Sequence, residues 1–510
     1  MARYRIRRRQ QMIMVPVNLD DQLQLGTFEH AIDYILDRHI DLTGFDCRYH
    51  NDETGRPAWD LVVMLKIIFF VYSRGIVLSW QIARACQENV VFMALSDDSR
   101  PHYTTIADFI SSMGEQAQNV FRDVLLICSE LDLIGGEFVA VDGCKLSSNA
   151  AKEWSGTREH LQRKQEKIAQ VIATMRKRHA GQDKSDSKQD AGQDAADDRL
   201  PERIKKLEKK VERIGRFLEK HGVRIGNRRS EVQSNITDPE SAKMISSHGM
   251  VQGYNGLAMV DDKAQVILHA AAFGCGQEYR LLDPMLAGTT ANLAAVGWGD
   301  DPLRGIKLAA DTNYHSLDNC NRLAEAGIEG FVPDVLFRKR DPRFAAIADR
   351  YRTNRRRLFK LEDFHYDAAN DKYVCPAGKD LPLRFSKKQA KSYSVRQYGA
   401  RKSDCLPCER KESCLQRNAR RRWLSINLGR DNSDHMNRMK ERIDTPYGRL
   451  MYSRRMGIVE PVFGNITAAK RLNRITLRGQ MKATIQWMLY AVVHNIGKIM
   501  RADYSGLMPT

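Results

Sequence analysis

The chain has 510 residues, 42% hydrophobic and 28% charged, which is ordinary globular usage and excludes wholesale disorder. That length holds about three domains of roughly 150 residues. No apolar run reaches the roughly 18 residues a membrane helix needs; Leu61 to Tyr72 comes nearest and is interrupted by Lys66. The net charge of +18 is unevenly placed: from Val335 onward there are 39 basic and 16 acidic residues, against 42 and 47 before it. Such an excess over a third of the chain points to a polyanionic partner, nucleic acid first, with a merely solubilising basic surface as the plain alternative. No apolar stretch follows the basic Met1 to Gln10, so no secretory signal is read and a cytoplasmic protein is expected.

Residues 1–14 read as a basic arm, with Arg3, Arg5, Arg7, Arg8 and Arg9 placed to follow phosphates or to remain a solvated tail. Residues 15–130 read as a helical domain. Phe28, Ile32, Tyr34, Ile35 and Ile40 recur at helical spacing, and Trp59 to Phe70 is a longer apolar helix. Further helices are expected over Ser79 to Ala94 and Thr105 to Leu131, the latter capped by Thr104 or Thr105.

After Gly135-Gly136 the period shortens. Phe138 to Val141 is a short strand ending in Asp142, and Gly253 to Val260 pairs with Gln265 to Ala272 about the turn Asp261-Asp262-Lys263. Gly305 to Ala310 is a buried strand ending in Asp311, and Ile328 to Val332 is a fifth. With helices over Tyr279 to Leu286 and Ser316 to Ala326, residues 131–334 hold the first part of an α/β mixed sheet core.

Two insertions interrupt that core. Residues 158–224 carry two charged helical stretches around a polar segment, Gly181 to Asp198. The second has the stripe Ile204, Leu207, Val211, Ile214, Leu218, read as a helical hairpin or, alternatively, as a solvated linker. Residues 335–445 form a basic cysteine-containing insertion. Residues 446–510 complete the core, with helices over Tyr447 to Ile466 and Lys482 to Met500.

Asp142 and Asp311 share a context, an apolar run that ends in a carboxylate. Strand ends lie at the rim of an α/β sheet, where ligands bind. Two such groups, with a third such as Glu460, could hold divalent cations that stabilise an in-line displacement at phosphorus. Each acid alone reads equally as a turn former or helix cap. Six cysteines (Cys47, Cys86, Cys128, Cys144, Cys275, Cys320) are scattered and read as small buried thiols. The other four, Cys375, Cys405, Cys408 and Cys414, are separated by 29, 2 and 5 residues, leaving open a tetrahedral Zn²⁺ site or reduced structural thiols. Arg352, Arg355, Arg356, Arg357 and Lys360, then Arg417, Arg420, Arg421 and Arg422, are candidate phosphate contacts, with Tyr393, Tyr398 and Trp423 available for stacking.

Taken in order, several motifs resemble the DDE transposases of bacterial insertion sequences. Val139-Ala140-Val141-Asp142-Gly143-Cys144-Lys145-Leu146-Ser147-Ser148-Asn149-Ala150 is similar to that family's first acid motif, and Gln252-Gly253-Tyr254-Asn255 with Leu257 to Asp261 to the strand pair after it. Ala310-Asp311-Thr312-Asn313-Tyr314-His315-Ser316 is similar to the second motif. Arg455 with Val459-Glu460-Pro461-Val462-Phe463-Gly464 is similar to the third, and His494-Asn495 to a pair in the final helix. Arg56-Pro57, the long apolar helix and Ile82 to Leu95 resemble the N-terminal domain.

The resemblance implies an RNase-H-like core in which Asp142, Asp311 and Glu460 hold Mg²⁺, with Mn²⁺ able to substitute. It also implies an enzyme that hydrolyses element ends and transfers them into target DNA, working as a homodimer. A related pattern sets a tyrosine, an arginine and a lysine at fixed offsets around the glutamate; Ser453, Met456 and Thr467 stand there instead, with Tyr452, Arg455 and Lys470 nearby to substitute. Two other readings stay open: a catalytically idle DNA-binding derivative and a nuclease that cuts without joining.

Overall fold

The computed structural model describes residues 16–48, 57–182, 200–226, 230–246, 249–344, 358–389, 393–416, 418–428, 434–502 and 504. The chain divides into two compact units, Met1–Leu308 with Arg454–Thr510, and Ala309–Ser453. Among the described residues, no helix is long and apolar enough to cross a membrane.

The first unit opens with six helices: α1 (Phe28–Arg38), α2 (Leu61–Ser73), α3 (Ser79–Glu88), α4 (Val90–Leu95), α5 (Tyr103–Ser112) and α6 (Gln116–Glu130). Thr27 and Asp60 cap α1 and α2 by accepting from backbone amides in their first turns. Lys66, the one cation in the apolar face of α2, is buried and paired at 2.7 Å to both Asp33 and Asp37 of α1. Two expected helices are each broken in two. Asn89 takes an extended backbone and caps α4 with its side chain, and Gly114, at φ +58°, separates α5 from α6. The cap of α5 is His102, which accepts from the Thr104 amide, and neither Thr104 nor Thr105.

The sheet of this unit is built from β1 (Phe138–Ser147), β4 (Ala242–Ser246), β5 (Gly249–Asp261), β6 (Ile267–Phe273) and the start of β7 (Lys307–Ala310); β2 (Ser155–Gly156) and β3 (Ser234–Asn235) pair separately. β5 lies antiparallel between β4 and β1 and also carries β6. The Lys307 amide donates to the Glu137 carbonyl at 2.9 Å, seating the start of β7 beside β1. Contrary to the sequence reading, β1 does not end at Asp142: the residue pairs opposite Ala258 at mid-strand, and the ladder runs on to Ser147 opposite Gly253. The ladder continues because Gly253 brings the strands close; a Cβ there would stand 1.9 Å from the Leu146 carbonyl oxygen.

Helix α7 (Arg158–Gln182) and α8 (Leu200–Lys220) form a hairpin. Its base is a cluster of Leu161, Ile214, Phe217 and Leu218 with Ile236 beyond β3, so two of the five stripe residues are spent on the hairpin's root. Helix α9 (Leu282–Ala295) follows β6. The last helix, α13 (Gln480–Arg501), is buried along most of its length between β6 and the helices α1, α2 and α6.

The second unit contains the end of β7, α10 (Leu317–Glu325, capped by Ser316), β8 (Glu329–Phe331) and α11 (Asp434–Asp444). It also contains an antiparallel sheet that the sequence reading did not anticipate: β9 (His365–Asp367), β10 (Lys372–Val374), β11 (Asp380–Gln389), β12 (Tyr393–Gly399) and β13 (Trp423–Leu428), neighbours in chain order. Its core is Phe364, Leu381, Tyr398, Ala400 and Leu424. Helix α12 (Pro446–Gly464) starts in this unit and ends in the first.

Candidate active site

In the first unit the Asp142 carboxylate stands inside the sheet with one oxygen accepting from the Gly143 amide at 2.9 Å and the other paired to Arg455 Nη1 at 2.5 Å. Burial pushes this carboxyl above the usual range; the Arg455 guanidinium opposes that shift and the charge of Glu278 adds to it. Arg455 comes from α12. The preceding residue, Arg454, pairs with Asp262 and lies 5.0 Å over the Phe138 ring. Two adjacent arginines thus pin this stretch of helix along β1, while Ile458, Val459 and Val462 fill the layer beneath.

Glu460 lies on the same helix but is exposed. Five residues separate it from Arg455, about 140° around an α-helix, so the side chain meeting Asp142 is the arginine and not the glutamate. Asp311 belongs to the second unit. It follows β7 and caps a short 3₁₀ turn, its carboxylate accepting from the Thr312 amide at 2.7 Å. Among the described residues, no three His, Cys, Asp or Glu side chains stand close enough to hold a metal together.

Several polar residues are buried here: Asn255, His494 and Asn495, which stood in the motifs quoted above, and Glu278, which the sequence reading passed over. Glu278, ahead of α9, accepts from Asn255 Nδ2 at 3.0 Å, and both are sequestered. Asn495 bridges α13 to β6 by accepting from the Ile267 amide and donating to its carbonyl, each at 2.9 Å. His494 is buried between the Gln265 carbonyl (2.9 Å from Nε2) and Asn465 Oδ1 (3.2 Å from Nδ1). Asn465 opens a five-residue π turn, Asn465–Ala469, and also accepts from Lys470 Nζ at 2.5 Å. For Glu278 the only signal was an acid placed just before a helix; His494 and Asn495 showed as two polar residues in an apolar helix as well as through the resemblance.

In the second unit the four clustered cysteines, all unbonded, line one small cavity between the sheet and two short helical turns, Lys402–Cys405 and Lys411–Cys414. Cys375 closes a tight turn after β10, where its Sγ accepts from the Lys379 amide at 3.3 Å. Burial pushes the Cys405 and Cys414 thiols up, and the neighbouring thiols add to it.

Arg422 donates to the Cys414 and Phe359 carbonyls at 2.9 and 2.7 Å, and so braces this turn. Arg421 lies 4.5 Å over the Trp423 ring, and Arg420 is exposed. Tyr398 is buried in the small core, with its hydroxyl donating to Asp371 at 2.7 Å. Arg352, Arg355, Arg356, Arg357, Arg417 and the basic arm lie outside the described residues.

Two family models match the chain: residues 17–112 match a transposase domain (DUF772), and residues 374–500 match the transposase DDE domain. No curated protein matches closely. The first match covers most of the helical N-terminal segment. The second runs from Cys375's turn through the cysteine cluster and Glu460 to the end of α13. Helices matched to one transposase domain stand ahead of a mixed sheet, and a C-terminal segment is matched to the transposase DDE domain, whose family has an RNase-H-like core; over these two segments the chain is similar to the DDE transposases.

Proposed function

We propose that the chain hydrolyses the phosphodiester at its element's ends and joins the freed 3′-hydroxyl to target DNA, using Asp142, Asp311 and Glu460 as carboxylate ligands of Mg²⁺ or Mn²⁺. The observation that carries this reading is Asp142, a half-buried carboxylate at mid-strand that faces a cation, Arg455, from the helix that also bears Glu460. A carboxylate partly withdrawn from water is costly unless a positive charge stands opposite it, and carboxylate oxygens are the donors that hard divalent cations take. The donor chemistry suits the ion, although the three carboxylates do not stand together in this structure; when bound, the ion would lower the pKa of attacking water and stabilise the leaving oxygen.

The protein's own part is positional. Gly143's amide orients one Asp142 oxygen, Arg455 holds the other, and the register of β1 on β5 fixes both. In this reading Arg455 exchanges Asp142 for a DNA phosphate as the catalytic complex assembles, and Asp311 and Glu460 converge with Asp142 at that stage. Arg420, Arg421 and Lys470, together with Arg352, Arg355, Arg356 and Arg357, supply backbone contacts, whereas Arg422 acts through the turn it braces. Cys375, Cys405, Cys408 and Cys414 line one cavity of the second unit without standing at ligand distance of one another, and would draw together there around a structural Zn²⁺. Because two element ends must be joined together, the active complex is a homodimer.

The test is incubation of the purified chain with labelled DNA carrying the element's ends and Mg²⁺, beside Asp142→Asn and Glu460→Gln. Cleaved and joined products from the wild type alone are expected, with duplex binding by both variants within a few-fold of wild type. Cleavage retained by either variant removes that carboxylate from the site, and cleavage without joined product favours the nuclease.

A further inference from the structure

Where α12 gives way to the π turn, and α13 ends, three cations gather with no acid paired to them among the described residues. Lys470 follows the π turn, its amide donating to the Asn465 carbonyl five residues back at 2.9 Å. Lys498 and Arg501 lie in the last turn of α13, on the same side of that helix as His494, four and seven residues on. One small network ties them together. Asn465 Oδ1 accepts from Lys470 and faces His494 Nδ1, while Gln265 presents its carbonyl to His494 Nε2 and its side-chain oxygen to Lys498 Nζ at 2.9 Å. The partners of both lysines are thus neutral amide oxygens. Among the described residues no carboxylate is within ion-pair distance of any of the three cations.

Cations at a helix C-terminus are favoured by the helix dipole, by about 0.3–1 kcal/mol each, and that accounts for Lys498 and Arg501 taken alone. It does not account for Lys470, which arrives from a separate element and is half-buried beside them. Burial, with Arg501 and Lys498 adding to it, pulls Lys470 down to about 8; burial and Arg501 likewise lower Lys498. Like charges held together in this way repel, and a bound anion would relieve the repulsion.

We propose that Lys470, Lys498 and Arg501 form a seat for a DNA backbone phosphodiester, built on the amide oxygens of Asn465 and Gln265. This rests on the transposase reading and extends it to two side chains of the final helix. Lys470 follows Glu460 by ten residues, about 15 Å at helical rise. The seat therefore grips the duplex beside the cleavage position and holds it in register, and its members are positioning residues.

Fluorescence anisotropy of the full chain with a fluorescein-labelled duplex, titrated over a range of KCl without divalent metal, tests this. Each lost phosphate contact lowers the slope of log affinity against log salt by about one. Lys498→Gln and Arg501→Gln should each show that loss, and Lys498→Arg should keep the wild-type slope. Arg501 is exposed, so its variant carries the test should Lys498→Gln fail to fold. Wild-type slopes in folded Lys498→Gln and Arg501→Gln would overturn the seat. Cleavage of end-bearing DNA by the wild type, run in parallel, separates the two failures. Cleavage with unchanged slopes removes the seat alone, whereas a wild type that neither binds nor cuts removes the transposase chemistry with it.

Discussion

His494 shows how one buried side chain sets an acid limit on stability. Burial holds its imidazole down to about 3, with Lys498, Lys470 and Arg501 adding to that and only the Gln265 carbonyl opposing it. An unfolded imidazole titrates near ~6.5, so as pH falls the unfolded chain takes the proton first. The stabilisation from a neutral His494 is complete above the ordinary histidine range and drains away as pH drops toward about 3. His269, held down to about 4 by burial and by Arg122, titrates in the same window. His494→Gln should therefore lower Tm modestly at neutral pH yet flatten its decline into acid, and His269→Gln made on top should flatten it further. Melting curves across that interval decide the matter; an acid slope as steep as wild type in the double variant would mean that other groups, carboxylates first, govern acid unfolding.

At the scale of elements, the pair α1 and α2 is fixed by a charge inside an apolar face. Lys66 joins Asp33 and Asp37, the lysine nearly buried and the two acids partly solvated. Lys66→Met would leave two carboxylates facing each other beside a hydrocarbon; solvent screens them in part, so a loss of about 1–3 kcal/mol is expected. Denaturant unfolding of the chain would measure it, and an unchanged midpoint would mean that apolar packing alone sets this helix pair. The apolar run around Lys66 was plain in the sequence, as were the strands about Asp261 and the last helix, because long periodic segments carry strong signals. The exit of β1 past Asp142 was not: Gly143, Cys144 and Lys145 break the apolar run, and only the pairing with β5 sustains the strand. Strands β9 to β13 were hidden by charge, although Leu381, Leu383 and Phe385 and then Leu424, Ile426 and Leu428 alternate with polar neighbours. The site was legible as residue types, and the meeting of Asp142 with Arg455 in place of Glu460 was not, since helix facing depends on how α12 packs.

Over the whole molecule, the two units are unequally endowed with buried apolar side chains. The first buries most of α13 between sheet and helices. The sheet of the second closes over a core of five residues, Phe364, Leu381, Tyr398, Ala400 and Leu424, with Cys375, Cys405 and Cys414 packed at its margin. So small a core supplies little hydrophobic stabilisation, and domains in that position are commonly held by a metal. The four cysteines line one cavity there, and an amide already donates to Cys375 Sγ. A structural Zn²⁺ would convert the thiols to thiolates against the upward push of burial on Cys405 and Cys414, so binding should release protons and weaken in acid. Elemental analysis of the purified chain should find one zinc per chain. A zinc-selective chelator that spares magnesium, or Cys405→Ser, should lower the melting of the second unit while leaving the main transition of the first in place. DNA affinity should fall in the same variants, since Arg420 and Arg421 lead into the strand that Trp423 opens and that enters this core. A chain free of zinc whose melting ignores the chelator would leave the four thiols as reduced packing groups, and the basic sheet would then rest on its apolar core and on the contacts of Asp371 with Tyr398 and Arg396.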